Sequence, residues 1–278
     1  MTFDRQDKLA ALRKKTLIRD DQRDPDGRVY INSETGEIFH SVTRVLGTTS
    51  PPEQQKALAK WLEKPGAYED RDAAAKRGTG AHNHMEYVLK LAQRLARATS
   101  NKRGVWKQSE DGLYRCPQKI TTWAMEKAAA GAPRIPWASS GYARGLRGWA
   151  MDHITAIHSV EFSGHHPAGM AGACDVLVDI AGKGPFIVDW KTRKTKKGVK
   201  VTSYDFQIHQ IAAYGATYFG EDRMMSEGIY GANCYLSSTE PGRFEVIKYS
   251  PDELRDAWKV FKGVCEIWRS LKNYDPRG

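Results

Sequence analysis

The sequence lacks any long apolar run. No stretch approaches the roughly 18 consecutive apolar residues of a transmembrane helix, so we expect no membrane partner. Residues 1–24 mix acids with bases around no apolar core, which is the pattern of neither a secretory signal nor an acid-poor transit peptide. We therefore expect a cytoplasmic protein.

Cysteine is scarce and scattered. The four cysteines are Cys116, Cys174, Cys234 and Cys265, and no two of them form a C-x-x-C pair. Structural zinc sites are usually built from such closely spaced pairs, so we expect no zinc ribbon. Reduced and mostly buried thiols are the expected state.

Acidic residues are absent from one long span, between Glu126 and Asp152. The whole chain has a formal charge of +10, which favours a polyanionic partner. Basic side chains interleaved with flat rings suit a single nucleic-acid strand, because its phosphates attract cations and its bases stack on aromatic rings. The span residues that we assign to such a contact are Arg144, Arg147, Trp137 and Tyr142. We expect residues 133–148 to be an exposed loop. The alternative is a helical subdomain that buries its tryptophans, which is at least as good a reading for Trp123 and Trp149.

The chain shows no internal repeat, low-complexity run or interdomain linker. Its 278 residues are enough for one large α/β domain with a substantial core. We expect residues 1–27 to be an N-terminal helical extension, with an amphipathic helix from Phe3 to Ile18. Residues 28–278 then form a single domain, in which 98–152 is a helical insert or an arch over the active site. A long helical signal from Tyr68 to Ala98 is interrupted near Gly78 and Gly80.

Two aspartates and a lysine follow one another at strand spacing. Asp175 and Asp189 are fourteen residues apart, and Lys191 comes two positions after Asp189. Alternate residues of a strand point the same way, so Asp189 and Lys191 share a face that excludes Trp190. A turn at residues 182–185 can form a hairpin that brings Asp175 beside Asp189. Two carboxylates can hold Mg²⁺ or Mn²⁺, and a neighbouring lysine can orient water or neutralise charge. The pattern indicates phosphodiester cleavage, with an ordinary charged hairpin as the alternative.

A basic run follows this strand directly. We assign phosphate contacts to Arg193, Lys194, Lys196 and Lys197, and the alternative is a flexible solvated loop. Each phosphate engaged on a single strand would add about 0.7 to the salt dependence of binding.

Several short motifs surround the two aspartates. They are Gly172-x-x-Asp175, then Asp189-Trp-Lys191-Thr at the end of an apolar strand, and Gln210-x-x-x-Tyr214 on the next helix. Together they resemble the RecB-type branch of the PD-(D/E)XK nucleases. The upstream segment Arg77-Gly-Thr-Gly-Ala-His82 looks like the helical R-G-T-x-x-H segment of that branch. Ser41-Val-Thr-Arg-Val-Leu46, with Leu58 and Trp61, is similar to the mitochondrial genome maintenance exonucleases and their phage relatives.

The resemblance implies a restriction-endonuclease-like α/β core, with a mixed central sheet flanked by helices and an inserted helical region. It implies catalytic roles for Asp175, Asp189, Lys191, Gln210 and Tyr214. The implied metal is Mg²⁺ or Mn²⁺, held by His82, Asp175, Asp189 and the backbone carbonyl of Trp190. Glu161, on the preceding strand, would touch the site only through a second metal or a water. His84 lies about 200° round the helix from His82 and is not expected in the site. An iron–sulfur cluster is not expected, since its closely spaced C-terminal cysteines are missing.

Three functions compete at this stage. The first is an exonuclease that needs a free end and prefers single-stranded DNA, acting in replication, recombination or repair of a bacterial or phage-infected cell. A single-strand-binding or annealing protein is the protein partner that the resemblance suggests. The second is a duplex-resecting recombination exonuclease of the phage lambda kind. The third is a non-catalytic DNA-binding module, which the intact Asp175, Asp189 and Lys191 argue against.

Overall fold

The computed structural model describes residues 17–21, 28–48, 52–109, 111–135 and 137–275. The strands of these residues are β1 (Leu17–Asp20), β2 (Val29–Asn32), β3 (Ile38–Ser41), β4 (Lys107–Gln108), β5 (Tyr114–Arg115), β6 (Ile154–His166), β7 (Met170–Ile180), β8 (Lys183–Arg193), β9 (Tyr230–Ser237) and β10 (Phe244–Tyr249). Their helices are α1 (Val42–Gly47), α2 (Pro52–Leu62), α3 (Ala67–Lys102), α4 (Gln118–Ala130), α5 (Trp137–His153), α6 (Asp205–Phe219), α7 (Glu221–Ser226) and α8 (Pro251–Lys272).

Eight strands form one mixed sheet around β7. One edge of β7 pairs antiparallel with β6 along its length. The other edge is shared, because β3 pairs parallel with Met170 and Ala171 whereas β8 pairs antiparallel from Val176 onward. Residues 172–175 therefore lie in a gap between β3 and β8, where the backbone of β7 has no sheet partner on that side. The sheet continues from β8 to the parallel strand β9 and the antiparallel strand β10.

Helices cover both faces of the sheet. The layer of α3, α4 and α5 packs on the face that carries Val176 and Val178 of β7. The layer of α1, α6, α7 and α8 packs on the opposite face, which carries Leu177. A sheet buried on both faces needs strands that are apolar at every position, which explains the continuous apolar runs of β7 and β8. The expected α/β core with a mixed sheet between helices is confirmed.

Helix α3 is continuous from Ala67 to Lys102, so the predicted interruption near Gly78 and Gly80 is wrong. Both glycines serve close packing instead. A Cβ at Gly80 would lie 2.5 Å from Ser139 Oγ of α5, and one at Gly78 would lie 3.1 Å from Thr192 Oγ1 of β8. The two glycines thus allow α3 to pack closely against α5 and the end of β8.

Residues 137–151 of the acid-free span lie in a packed helix, α5, so the exposed loop predicted for residues 133–148 is wrong from Trp137 onward. Two glycines one turn apart let α5 lie directly on the β9–β10 connection. A Cβ at Gly141 would lie 2.7 Å from Pro241, and one at Gly145 would lie 2.8 Å from the Gly242 carbonyl oxygen. Close helix packing of this kind needs small residues at the contact, and it buries the neighbouring Tyr142.

The described residues near the N-terminus form a strand, and the last helix near the C-terminus is capped. Leu17 and Ile18 belong to β1, so the amphipathic helix predicted for residues 3–18 does not include them, and residues 3–16 lie outside the described part. The last helix, α8, starts at a capping box in which Ser250 Oγ accepts from the Glu253 backbone N–H. No described helix is long and apolar enough to cross a membrane.

Candidate active site

The two aspartates meet at the gap beside β7. Val176 pairs with Val188, and this antiparallel register brings Asp175 across from Asp189. Asp175 Oδ2 accepts a hydrogen bond of 2.5 Å from the Trp190 backbone N–H. Trp190 itself points to the other face, where its ring packs edge-on against Trp149 with centroids 5.6 Å apart. The strand alternation predicted for Asp189, Trp190 and Lys191 is therefore observed.

Lys191 is held from two sides. Its Nζ lies 2.6 Å from Asp189 Oδ2 and donates to Gln210 Oε1 at 3.0 Å. Gln210 Nε2 donates in turn to the Tyr214 hydroxyl at 2.6 Å, because residues four apart on α6 share a face. Gln210 and Tyr214 are both buried, and burial raises the pKa of Tyr214 well above its ordinary value. The Tyr214 phenol therefore stays neutral. The hydrogen bonds that link Tyr214, Gln210 and Lys191 fix the position of the lysine ammonium group.

Gly172 makes room for the Tyr214 ring at the end of this hydrogen-bonded series. A Cβ at Gly172 would lie 2.4 Å from Tyr214 Cε1 and 2.8 Å from Tyr214 Cδ1. The first position of the Gly172-x-x-Asp175 motif therefore lets the Tyr214 ring lie on β7, in the gap that β3 and β8 leave open.

His82 of α3 faces the aspartates, with Nδ1 3.5 Å from Asp175 Oδ1. Burial by itself lowers the pKa of His82, but the carboxylates of Asp175 and Asp189 raise it above its ordinary value overall. His84 lies elsewhere: burial and the nearby Arg147 guanidinium lower its pKa, and it hydrogen-bonds the Pro133 backbone. The two histidines point into different surroundings, as their helical spacing predicts.

Glu161 lies closer to the site than its sequence position suggests. It stands on β6 between Val160 and Phe162, which pair with Val176 and Cys174 on either side of Asp175. Its φ is +51°, a left-handed conformation that is uncommon for a residue with a side chain. Burial, followed by repulsion from Asp175 and Glu86, raises the pKa of Glu161 to about 7. Because Glu161 departs from the regular alternation of a strand, the periodicity of the sequence does not show which way its side chain points.

The side chains of His82, Asp175 and Asp189 are of the types that bind divalent cations. No three His, Cys, Asp or Glu side chains of the described residues are gathered tightly enough to hold a metal as they stand. However, burial raises the pKa of Asp189 above its ordinary value, although Lys191 Nζ lies 2.6 Å from Asp189 Oδ2 and opposes the rise. Burying several carboxylates together is costly unless a cation compensates them. His82, Asp175 and Asp189 supply the nitrogen and oxygen donors that Mn²⁺ or Mg²⁺ accepts.

A model of the PD-(D/E)XK nuclease superfamily matches residues 11–277, nearly the whole sequence. The chain belongs to the PD-(D/E)XK nuclease superfamily. It is therefore assigned as a metal-dependent nuclease that hydrolyses nucleic acid. Among solved structures, the one titled "Crystal structure of SSO0001" is 14% identical and is matched over 71% of this chain and 86% of that chain, with a TM-score of 0.26. At that TM-score the match supports no conclusion. No curated protein matches the sequence.

The basic residues that the sequence assigns to nucleic-acid contacts fall into two groups. Arg134, Arg144 and Arg147 line one concavity of about 370 Å³ together with His84. The run after β8 is anchored at its backbone: Arg243 donates to the carbonyl oxygens of Lys196 and Val199. The backbone of this loop is thus hydrogen-bonded to the body of the fold, while the side chains of Lys194, Lys196 and Lys197 are exposed.

Two of the residues predicted to contact nucleic acid, Tyr142 and Arg193, make contacts within the fold instead. Tyr142 is 6% exposed and packs in the core, so its ring cannot stack on a base, and that prediction is wrong. Arg193 donates to the Thr202 carbonyl oxygen at 2.6 Å, and its guanidinium lies over the Tyr204 and Tyr235 rings. A phosphate would therefore compete with these contacts. The Trp137 side chain lies outside the described residues.

Proposed function

We propose that the protein is an exonuclease that hydrolyses phosphodiester bonds of single-stranded DNA from a free end, with Mg²⁺ or Mn²⁺. The observation that carries the catalytic part is the convergence of Asp175, Asp189 and Lys191 in the gap beside β7, where Gln210 positions the lysine. DNA replication, recombination or repair is the setting that suits such an activity, with a single-strand-binding or annealing protein as partner.

Each site residue has a role in this proposal. His82, Asp175, Asp189 and the Trp190 carbonyl would hold the cation, which supplies polarisation of the phosphodiester and a lower pKa of attacking water. Lys191 stabilises the charge that develops on the phosphoryl oxygens, and such a stabiliser is typically worth about 3 kcal/mol in the barrier. Gln210 and Tyr214 hold the lysine in place, so they act as positioning residues.

The single-strand preference is supported by the shape of the site and by the charges around it. The side chains of Asp175 and Asp189 are only 13% and 8% exposed, so the scissile phosphate must descend to them. A flexible single strand can do so more easily than a stiff duplex. Cations that can meet phosphates follow Lys191 directly, at Lys194, Lys196 and Lys197 of the anchored loop. Arg144 and Arg147 offer further cations in the separate concavity beside His84.

The free-end requirement is supported by the resemblance of the Ser41–Leu46 segment to exonucleases. The acid-free span could have arched over the site, but its described residues fall at the end of α4, in the link at 131–135 and in the packed helix α5. A packed helix leaves the cleft more open than an arch does, so the end requirement needs its own test.

The test compares a covalently closed single-stranded circle with its linearised form and with a duplex of the same sequence. Each is incubated with wild-type protein and Mg²⁺ or Mn²⁺, and Lys191→Ala serves as the control for contaminating nucleases. The proposal expects rapid loss of the linear strand, slow loss of the duplex and survival of the circle. Equal degradation of circle and linear strand would refute the exonuclease assignment, and faster loss of the duplex would refute the single-strand preference.

A further inference from the structure

A second basic concavity lies where α3 ends beside α4, away from the candidate active site. Its volume is about 680 Å³, and its lining residues are Thr99, Lys102, Arg103, Lys119, Ile120 and Trp123. Ile120 is buried beneath it, whereas Trp123 is 39% exposed. None of the described residues that line it is acidic.

The cations of this concavity have no acidic partner in the described part of the chain. Lys102, Arg103 and Lys119 are exposed, and none of them forms an ion pair with a carboxylate of the described residues. Large tryptophan rings are highly buried on average, so an open indole beside three free cations is an unusual arrangement for a surface without a ligand. A flat ring for a base and cations for the adjoining phosphates together match the chemistry of single-stranded nucleic acid.

The concavity stands at a fixed distance from the aspartates because one unbroken helix carries both. His82 faces the active site and Lys102 lines the concavity, twenty positions apart on α3. At about 1.5 Å per residue this separation is roughly 30 Å along the helix axis, and at about 100° per residue Lys102 lies roughly 200° round α3 from His82. A strand that joins the two places must therefore also pass round the helix. At a stacked spacing of about 3.4 Å per nucleotide the axial distance alone takes about nine nucleotides, so the connecting strand is at least that long.

We propose that Trp123, with Lys102, Arg103 and Lys119, forms a second binding site for single-stranded DNA, which holds a base and its phosphates at least about nine nucleotides from the point of cleavage. The inference rests on the proposed function, because it takes the bound polymer to be the substrate strand. The site keeps hold of the strand between successive cuts, and it is used only by strands long enough to reach it.

Binding is measured by fluorescence anisotropy in a Lys191→Ala background, which prevents hydrolysis. The probes are single strands of about five and about twenty nucleotides, one shorter and one longer than the calculated span. Trp123→Ala should weaken binding of the long strand by about fivefold to a hundredfold and leave the short one unchanged. Trp123→Phe should keep most of the affinity, since its ring still stacks. Lys102→Gln should lower the salt dependence of long-strand binding by about 0.7. Lys183→Gln, at the exposed lysine that begins β8, is the matched control and should change nothing.

Two results would overturn the inference. Equal losses on the short and long strands would show that Trp123 acts through the fold, and an unchanged affinity for the long strand would show that no base stacks there. Failure of the proposed function looks different, because wild-type protein would then neither bind nor degrade single-stranded DNA. If wild-type protein does both and Trp123→Ala binds the long strand normally, only the second site is refuted.

Discussion

Replacing Gly172 by alanine should disable the site without touching any catalytic group. The new Cβ would lie 2.4 Å from Tyr214 Cε1, about 1 Å inside ordinary van der Waals contact. Since the backbone of β7 is fixed by its partner β6, the Tyr214 ring must move. That movement pulls on Gln210 and, through it, on Lys191. Overpacking of this kind costs about 1–3 kcal/mol of stability, and a displacement of about 1 Å in a positioned group costs about a hundredfold in rate.

The assay follows single-turnover cleavage of a labelled single strand, beside urea unfolding of the same preparations. Gly172→Ala should remain folded and lose about two orders of magnitude in the cleavage step. Gly263→Ala is the matched control, because a Cβ at this position of α8 meets no atom within 4 Å. A Gly172→Ala protein with the cleavage rate of wild type would show that the hydrogen bonds from Tyr214 through Gln210 do not hold Lys191. The positioning role of Tyr214 and Gln210 would then be refuted.

Three further outcomes follow from the structure. His82→Ala should weaken metal binding measured by calorimetry, whereas His84→Ala should not, because only His82 faces Asp175; equal effects would show that α3 is misplaced. Tyr142→Ala should cost about 3–5 kcal/mol of folding free energy, as for a buried aromatic, with little change in DNA affinity at low temperature; selective loss of DNA binding would contradict its burial. Asp179→Asn should cost about 3–5 kcal/mol near neutral pH, since it breaks a buried pair with His158 and Arg115. Urea unfolding at several pH values should show this cost shrinking on acidification, and a cost independent of pH would count against the pairing.

The sign of that pH dependence comes from the folded state. Burial raises the pKa of Asp179, but hydrogen bonds from His158 and Arg115 outweigh burial and leave its pKa below the ordinary value. A carboxylate with a lowered folded-state pKa stabilises the protein above its unfolded pKa of about 3.9, and the contribution disappears as the pH falls through the folded-state pKa.

The centre of the fold could be predicted from sequence because its signals are local. The two-residue period of a strand places Asp189 and Lys191 on one face, and the turn at 182–185 fixes the register that brings Asp175 beside them. His82, Gln210 and Tyr214 were expected only from the resemblance, because no strand periodicity tells which helix faces will meet the aspartates. Glu161 departs from strand alternation through a positive φ, which no periodicity records.

The exposed loop predicted within the helical insert was wrong for a different reason. Tyr142 is buried because α5 rests on the β9–β10 connection, and that contact joins segments about a hundred residues apart. The spacing of Gly141 and Gly145, one helical turn apart, is the local signal of close helix packing that could have indicated it.

The central claim is that Asp175, Asp189 and Lys191 form a metal-dependent phosphodiester-cleaving site. The most direct test is the cleavage rate of purified Lys191→Ala and Asp189→Asn on a labelled single strand with Mg²⁺ or Mn²⁺, with folding checked by circular dichroism. Both variants should fold and lose about a hundredfold or more in rate, or on the order of 3 kcal/mol in the barrier. Turnover at the wild-type rate in folded Lys191→Ala would contradict the account.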